Sequence, residues 1–146
     1  MDTDRNRALI RRWFEEVWNQ GREATIDELV APGSIIHGLG DAGRKVTGPA
    51  GFREFYNHFR AAFSNLHVTL EDVIAEGDQV VSRLGFTGTH TGNGLGIAPT
   101  NRPFTSTAIV ITKWRNGQIT DSWNEFDAAG MMQQLSPPNT PMKMRA

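Results

Sequence analysis

The chain has 146 residues, no cysteine and a net charge of −1, with 15 Lys and Arg against 16 Asp and Glu. The length fits a single domain, and the composition excludes disulfides, thiolate zinc sites and a cysteine nucleophile. The balanced charge gives no reason to expect nucleic acid or an anionic membrane as a partner. The polar, acidic start is unlike a signal peptide, and no apolar run reaches about 18 residues, so we predict a cytoplasmic protein.

The first part of the chain predicts two helices and a short strand. Residues 4–20 place apolar side chains at helical spacing, with charged residues on the opposite side: Ile10, Trp13, Phe14, Val17 and Trp18. Residues 25–28 (TIDE) match a capping box, which predicts a short helix that ends before Pro32. Residues 34–38 predict a strand that carries His37, and a polar loop follows through residue 48.

A third helix is predicted from Pro49 to about Ser64, because proline is tolerated in the first helical turn. Its phenylalanines recur on one side and form an aromatic stripe: Phe52, Phe55, Phe59 and Phe63. Such a stripe is typical of a face buried in the core. Part of it can also line a pocket.

From residue 66 onward the pattern changes to strands, predicted at 68–74, 79–90, 104–114 and 118–126. Asn116-Gly117 is a strong hairpin turn, a glycine-rich loop covers 91–102, and a short helix covers 128–135. Separate helical and strand regions indicate an α+β fold. We predict one domain over 1–135, in which helices close one mouth of a curved, four-stranded antiparallel sheet around a pocket for an apolar small molecule, and a flexible tail over 136–146.

The turn at Asn116-Gly117 predicts which residues face that pocket, because it pairs Arg115 with Gln118. The predicted interior face of the last hairpin carries Thr107, Ile109, Ile111, Ser122, Asn124 and Phe126. The predicted outer face carries Ala108, Val110, Thr112, Trp114, Asp121, Trp123 and Glu125. Tryptophans beside acids on the outer face suggest a homodimer interface. A β-bulge would change the assignment locally and exchange Asn124 for Glu125.

Candidate polar residues are few, and each has a structural alternative. Asn124 is either a satisfied core amide or a group that orients a ligand. His37 either packs between apolar neighbours or takes part in chemistry, and Asp127 can cap the following helix. The four histidines show no paired spacing, so no metal is expected. Hydrolase, P-loop and dinucleotide motifs are missing as well, and we expect no cofactor.

Seven segments resemble the SnoaL-like polyketide (ester) cyclases of the nuclear transport factor two-like superfamily. In chain order they are 12–21 (RWFEEVWNQG), 28–32 (ELVAP), 48–55 (GPAGFREF), 70–78 (LEDVIAEGD), 88–92 (GTHTG), 96–100 (GIAPT) and 116–135 (NGQITDSWNEFDAAGMMQQL). The resemblance implies a cone-shaped fold that dimerises through the outer sheet face. It also implies cofactor-free aldol ring closure on a polyketide, in the setting of antibiotic biosynthesis.

In these cyclases the resemblance assigns acid/base chemistry to an acidic residue just after a tryptophan of the last strand. The matching position here is Asn124, an amide that cannot act as a base at neutral pH. The position where cyclases often carry a histidine matches Val110. Glu125 could supply the missing carboxylate only if a bulge turned it inward. The resemblance therefore carries over the fold, while the aldol mechanism does not follow.

Three functions remain open from the sequence. The first is a cyclase-like or hydroxylase-like enzyme on an aromatic polyketide or similar ring system, in which Asn124 orients a carbonyl or hydroxyl and His37 or Glu125 moves the proton. Its predicted lining is Trp13, Phe14, Trp18, Phe55, Phe59, Thr107, Ile109 and Phe126. The second is a binding module or hydroxylase partner subunit without catalysis. The third is epoxide hydrolysis by Asp72, Arg83 and Asp121. The direction of the Glu125 side chain separates the first from the second.

Overall fold

A computed structural model describes residues 2–39 and 44–136. Helix α1 (Thr3–Arg12) continues as a π-helical segment (Trp13–Asn19), and α2 (Ala24–Leu29) follows. The remaining elements are β1 (Val30–His37), β2 (Lys45–Thr47), α3 (Gly48–Ala62), β3 (His67–Glu76), β4 (Gln79–Thr89), β5 (Pro103–Arg115), β6 (Gln118–Phe126) and α4 (Ala128–Leu135). Apart from Ser136, the predicted tail lies outside the described residues.

The N-terminal helices form where the sequence predicts them, with two differences in detail. The second half of the first helix is π-helical, and it ends with a bond from Gln20 N to Glu15 O, five residues back. The predicted capping box is wrong. Thr25 lies inside α2, where it is fully buried, and its hydroxyl donates to Glu16 Oε1 at 2.7 Å instead of capping the helix backbone.

The sheet has six strands in the order β2-β1-β6-β5-β4-β3. The four predicted strands are present as an antiparallel series, but the predicted strand number was wrong because β1 and β2 extend the sheet. Strand β1 pairs in parallel with β6, and the short β2 pairs with the far edge of β1. Alternate residues of β4 and β5 are buried, so one face of this curved sheet contributes to the core.

The core lies between that sheet face and the helices. Helix α3 places its predicted aromatic stripe toward the sheet, where Phe59 contacts Phe86 of β4 and Phe126 of β6 at ring-centroid distances of 6.2 and 6.4 Å. The predicted α+β architecture, with helices packed on a curved sheet, is confirmed. None of the described helices has the length and apolar character needed to span a membrane.

Candidate functional site

An interior cavity of about 90 Å³ lies between the helices and the inner face of the sheet. Side chains of the π-helical segment, α3, β1, β3, β4, β5 and β6 border it. Aromatic and aliphatic side chains make up most of the lining, and four polar side chains interrupt them. The full lining is Trp13, Phe14, Trp18, Val30, Ser34, Ile36, Leu39, Phe52, Phe55, Phe59, Leu66, Val68, Leu84, Phe86, Ala108, Val110, Thr112, Ile119, Ser122, Asn124 and Phe126.

The helices supply an aromatic wall of the cavity. Trp18 of the π-helical segment makes edge-on contacts with Phe55 and Phe59 of α3 at centroid distances of 6.3 and 6.0 Å. Trp13 packs on Phe52 at 4.9 Å. The structure therefore places the five predicted helical lining residues at the cavity: Trp13, Phe14, Trp18, Phe55 and Phe59. Helical spacing was sufficient to predict this placement, because it fixes which side chains share a face.

The predicted interior face of β5 was wrong. Thr107 and Ile109 lie on the outer face, and Ile109 is 49% exposed, whereas Ala108 and Val110 line the cavity. The cause is a β-bulge in β6: Trp114 pairs with Ile119 but Lys113 pairs with Asp121. The extra residue reverses the alternation of β6, whereas β5 alternates without interruption from Phe104 to Trp114. Ser122, Asn124 and Phe126 therefore share a face with Ala108 and Val110 instead of Thr107 and Ile109. A bulge was anticipated, but it does not exchange Asn124 for Glu125.

Strand β6 presents Ser122, Asn124 and Phe126 to the cavity, as the sequence predicts. The Asn124 amide donates from Nδ2 to the backbone oxygen of His37 at 2.9 Å and to Ser122 Oγ at 3.3 Å. Its position depends on β1, because β1 runs beside β6 and brings the His37 carbonyl against the amide. Asn124 is thus the one member of the predicted catalytic trio that reaches the cavity.

The other two predicted catalytic side chains, Glu125 and His37, do not line the cavity. Glu125 is exposed on the outer face beside Trp123. The His37 ring stacks on the Trp123 ring with centroids 5.4 Å apart and planes within 7°. Both follow from strand alternation, since the neighbours Ile36 and Asn124 face inward. The predicted role of either side chain in moving a proton inside the pocket has no geometric support.

Three hydroxyl-bearing side chains complete the lining; the sequence predicted Ser122 on the interior face, wrongly placed Thr112 on the outer face and did not single out Ser34. Thr112 accepts a hydrogen bond from Trp114 Nε1 at 2.8 Å and donates to Val80 O at 3.4 Å. Ser122 accepts from Asn124. Ser34 is fully buried, and its Oγ has no partner in the described part of the chain. Lys113 could have indicated from the sequence which side of β5 faces inward. It alternates with Ile109 and Ile111, and a lysine on one face of a strand indicates that this face is exposed and that Thr112 lies on the interior face.

The lining is electrically neutral. Among the described residues it includes no Asp, Glu, His, Lys, Arg or Tyr. The strongly perturbed carboxyl group lies elsewhere: hydrogen bonds from Arg12 and then Thr25 lower the pKa of Glu16 to about 2. Through its hydrogen bond from Thr25, Glu16 links the π-helical segment to α2, away from the cavity. Burial raises the pKa of Tyr56, whose hydroxyl donates to Val17 O at 2.9 Å behind the aromatic wall.

The acidic residues considered for epoxide hydrolysis lie away from the cavity. Arg83 and Asp72 form an exposed ion pair at 2.6 Å between neighbouring strands, and Asp121 faces outward next to Lys113. Asp127 caps α4 by accepting from Gly130 N at 2.9 Å. Within 2–39 and 44–136 no three His, Asp or Glu side chains are placed together to hold a metal ion.

A surface cleft adjoins the cavity at one side of α3. Leu39, Phe55 and Phe59 line both spaces and form the partition between them. The other wall of the cleft is the glycine-rich loop, which lies directly on α3: a Cβ on Gly94 would come within 2.0 Å of His58 O. Thr91 N and Gly92 N both donate to Ala62 O. The close contact between the backbones of this loop and α3 explains why glycine is required in the loop, and no phosphate site is needed to explain it.

Comparisons with known proteins agree with this architecture. The sequence model of the SnoaL-like polyketide cyclases matches residues 8–135. Nogalonic acid methyl ester cyclase of Streptomyces nogalater is 30% identical over 128 residues, which cover 83% of this chain and 90% of the relative. The structure of IdmH from Streptomyces antibioticus is 31% identical and superposes with a TM-score of 0.76, covering 88% of this chain and 96% of IdmH.

A structure from Jannaschia sp. CCS1 described as SnoaL-like superposes with a TM-score of 0.84 at 25% identity, covering 93% of this chain and 94% of that one. The resemblance predicted from short segments is confirmed over most of the chain. We conclude that the chain belongs to the SnoaL-like polyketide cyclase family.

Proposed function

We propose that the protein binds a largely apolar, ring-containing polyketide in the interior cavity and orients it without supplying a general base. The observation that carries this proposal is the neutral lining: the residue at the position of the family's carboxylate is Asn124, and Glu125 points away from the cavity. Removing a proton from carbon requires a base within hydrogen-bond reach. A carboxamide cannot serve as that base at neutral pH.

A neutral cavity can still act on a bound molecule. Aromatic walls bury the rings of a ligand, and a few fixed polar atoms determine its orientation. Holding a flexible chain in a folded conformation removes much of the entropic barrier to ring closure. The protein would then serve either alone, on a substrate that reacts without a protein base, or as a binding subunit beside an enzyme that supplies the chemistry.

The cavity volume limits the ligand. About 90 Å³ is small compared with the roughly 300–1,000 Å³ of sites for drug-sized molecules. By this volume, a single aromatic ring is the largest group that we expect to enter without rearrangement. A bicyclic or larger ring system would require Phe55 or Leu39, in the partition, to move and open the cavity into the neighbouring cleft.

The proposal is tested with nogalonic acid methyl ester, the substrate class named for the relative from Streptomyces nogalater. We expect binding by calorimetry and ring closure no faster than the background rate. Ala108→Phe fills the cavity and should weaken binding more than tenfold, whereas Ile109→Phe, one residue away on the outer face, should not. Unchanged binding by Ala108→Phe would show that the ligand does not bind in this cavity. Ring closure faster than the background rate, if Asn124→Ala abolished it, would show that the protein is catalytic.

The outer sheet face supports the predicted homodimer. Ile109 and Trp123 are 49% and 38% exposed on neighbouring strands, and large exposed apolar side chains mark interaction surfaces when they cluster. We expect sedimentation velocity to show a dimer that Trp123→Glu dissociates, whereas Ile97→Glu, in the glycine-rich loop, leaves it intact. A monomeric wild-type protein would contradict this. A cytoplasmic location remains a prediction from composition.

A further inference from the structure

Two adjacent side chains on the inner face of β6, Asn124 and Ser122, retain hydrogen-bonding capacity that no residue of 2–39 or 44–136 uses. The Asn124 Nδ2 group donates to His37 O at 2.9 Å. A carbonyl oxygen can only accept, so this bond fixes the amide with its nitrogen toward β1. The opposite atom, Asn124 Oδ1, has no hydrogen-bond partner in the described regions, and the residue borders the cavity.

The backbone imposes this orientation. Gly38 has φ +83°, and a Cβ at this position would lie 2.0 Å from the backbone oxygen of Asn124. Such close approach is possible only for glycine, and it holds the end of β1 against β6. The His37 carbonyl therefore stays within reach of Asn124, while the His37 ring stacks on Trp123 at the outer face. His37 contributes to the cavity through its main chain.

Ser122 supplies the complementary group. Its Oγ accepts from Asn124 Nδ2 at 3.3 Å, and its own proton is donated to no acceptor within the described ranges. The Ser122 hydroxyl makes no hydrogen bond to its cross-strand neighbour Thr112, whose own hydroxyl accepts from Trp114 Nε1 and donates to Val80 O. The cavity thus presents an acceptor, Asn124 Oδ1, next to a donor, the Ser122 hydroxyl.

We infer that the ligand carries a hydroxyl group, phenolic or enolic, that donates to Asn124 Oδ1 and accepts from Ser122 Oγ. A hydroxyl can do both at once, whereas a ketone or an ether can only accept and would leave Oδ1 unpaired in an apolar site. Sites built around a ligand hydroxyl discriminate against analogues that lack it. This inference rests on the proposed function and narrows the ligand to hydroxylated ring systems.

Two bicyclic probes test it on the full chain: 2-naphthol and 2-methoxynaphthalene, which differ only in the methyl group that replaces the hydroxyl proton. By calorimetry we expect 2-naphthol to bind about threefold to tenfold more tightly, the effect of one neutral hydrogen bond. Asn124→Ala should abolish this preference, because only 2-naphthol can donate to Asn124 Oδ1. Ser122→Ala removes a donor to the oxygen of both probes, so it should weaken the binding of both and keep the preference. The matched controls Asn57→Ala and Ser64→Ala, both at exposed positions, should change neither the preference nor the affinities.

The outcomes separate this inference from the proposed function. Equal affinity for the two probes, or tighter binding of 2-methoxynaphthalene, overturns the hydroxyl inference and leaves cavity binding intact. No binding of either probe refutes the proposed function and this inference with it. Circular dichroism monitors folding, and if Asn124→Ala does not fold, Asn124→Leu, which also lacks the acceptor, provides the same comparison. A preference that survives loss of the Asn124 carboxamide assigns the discrimination to another part of the protein and contradicts the inference, and unchanged affinities in Ser122→Ala contradict the role of its hydroxyl as the donor.

Discussion

The helical wall and the sheet wall of the cavity differ in chemistry. The helices contribute aromatic rings, whereas every hydroxyl and carboxamide of the described lining comes from β1, β5 and β6. The helical wall therefore determines how much apolar surface a ligand can bury, and the sheet wall determines how the ligand is oriented. The two walls also differ in how they are fixed, the first by packing and the second by strand register.

The largest effect is expected in the helical wall. Phe59 is buried among Trp18, Phe55, Phe63, Phe86 and Phe126. Phe59→Ala leaves a hole at the centre of this cluster, and we expect it to lower the free energy of unfolding by about 3–5 kcal/mol. Urea denaturation measures the change. The neighbouring exposed His58→Ala should stay within about 0.5 kcal/mol, and similar losses in both variants would show that packing does not fix this wall.

The next effect tests how the sheet wall is fixed. Gly38→Ala forces a Cβ onto the backbone oxygen of Asn124 at a positive φ, and we expect a loss of about 2–3 kcal/mol in the free energy of unfolding. Gly33→Ala, within β1, is the control, since its Cβ would meet nothing within 4 Å. If both glycines tolerate alanine equally, the close contact of β1 with β6 is not what orients Asn124.

A smaller effect tests whether the sheet wall is built for neutral groups. In Asn124→Asp the introduced carboxyl faces the His37 carbonyl, and both burial and this acceptor favour the protonated acid, so its folded-state pKa should rise above about 3.9. The variant should therefore be most stable at low pH and lose about 1–3 kcal/mol, relative to wild type, as pH rises through the folded-state pKa. Urea denaturation between pH 4 and 8 measures this, with the exposed Asn57→Asp as control. A pH-independent difference would argue against a neutral site.

The smallest effect concerns the outer support of the helical wall. Because Arg12 and Thr25 lower the folded-state pKa of Glu16 from 4.5 to about 2, its contribution to the free energy of unfolding is complete above pH 4.5 and is lost as the pH falls toward 2. We expect about 1 kcal/mol after allowance for solvent screening. In Glu16→Gln, stability should change less between pH 5 and 2 than in wild type. The exposed Glu15→Gln is the control, and identical acid profiles for Glu16→Gln and wild type would contradict the assignment.

The helical wall could be predicted from the sequence because its pattern is local. Trp13, Phe14 and Trp18, together with Phe55 and Phe59, share faces through the helical repeat alone. The sheet wall could be predicted only in part. Its β6 residues were assigned correctly, whereas Thr107 and Ile109 were not, because a single bulged residue between Ile119 and Asp121 changes the pairing along all of β5 beyond it.

The sequence by itself determined the helices, the four hairpin-connected strands and the family, since periodicity, turn residues and short motifs are encoded by neighbouring positions. The tertiary structure decided what no local pattern contains: the parallel pairing of β1 with β6, the bulge in β6 that changes its register against β5, and the outward direction of the His37 ring. The physical reason is that these features depend on contacts between segments distant in sequence. A one-residue shift of register there exchanges the inside and the outside of a strand.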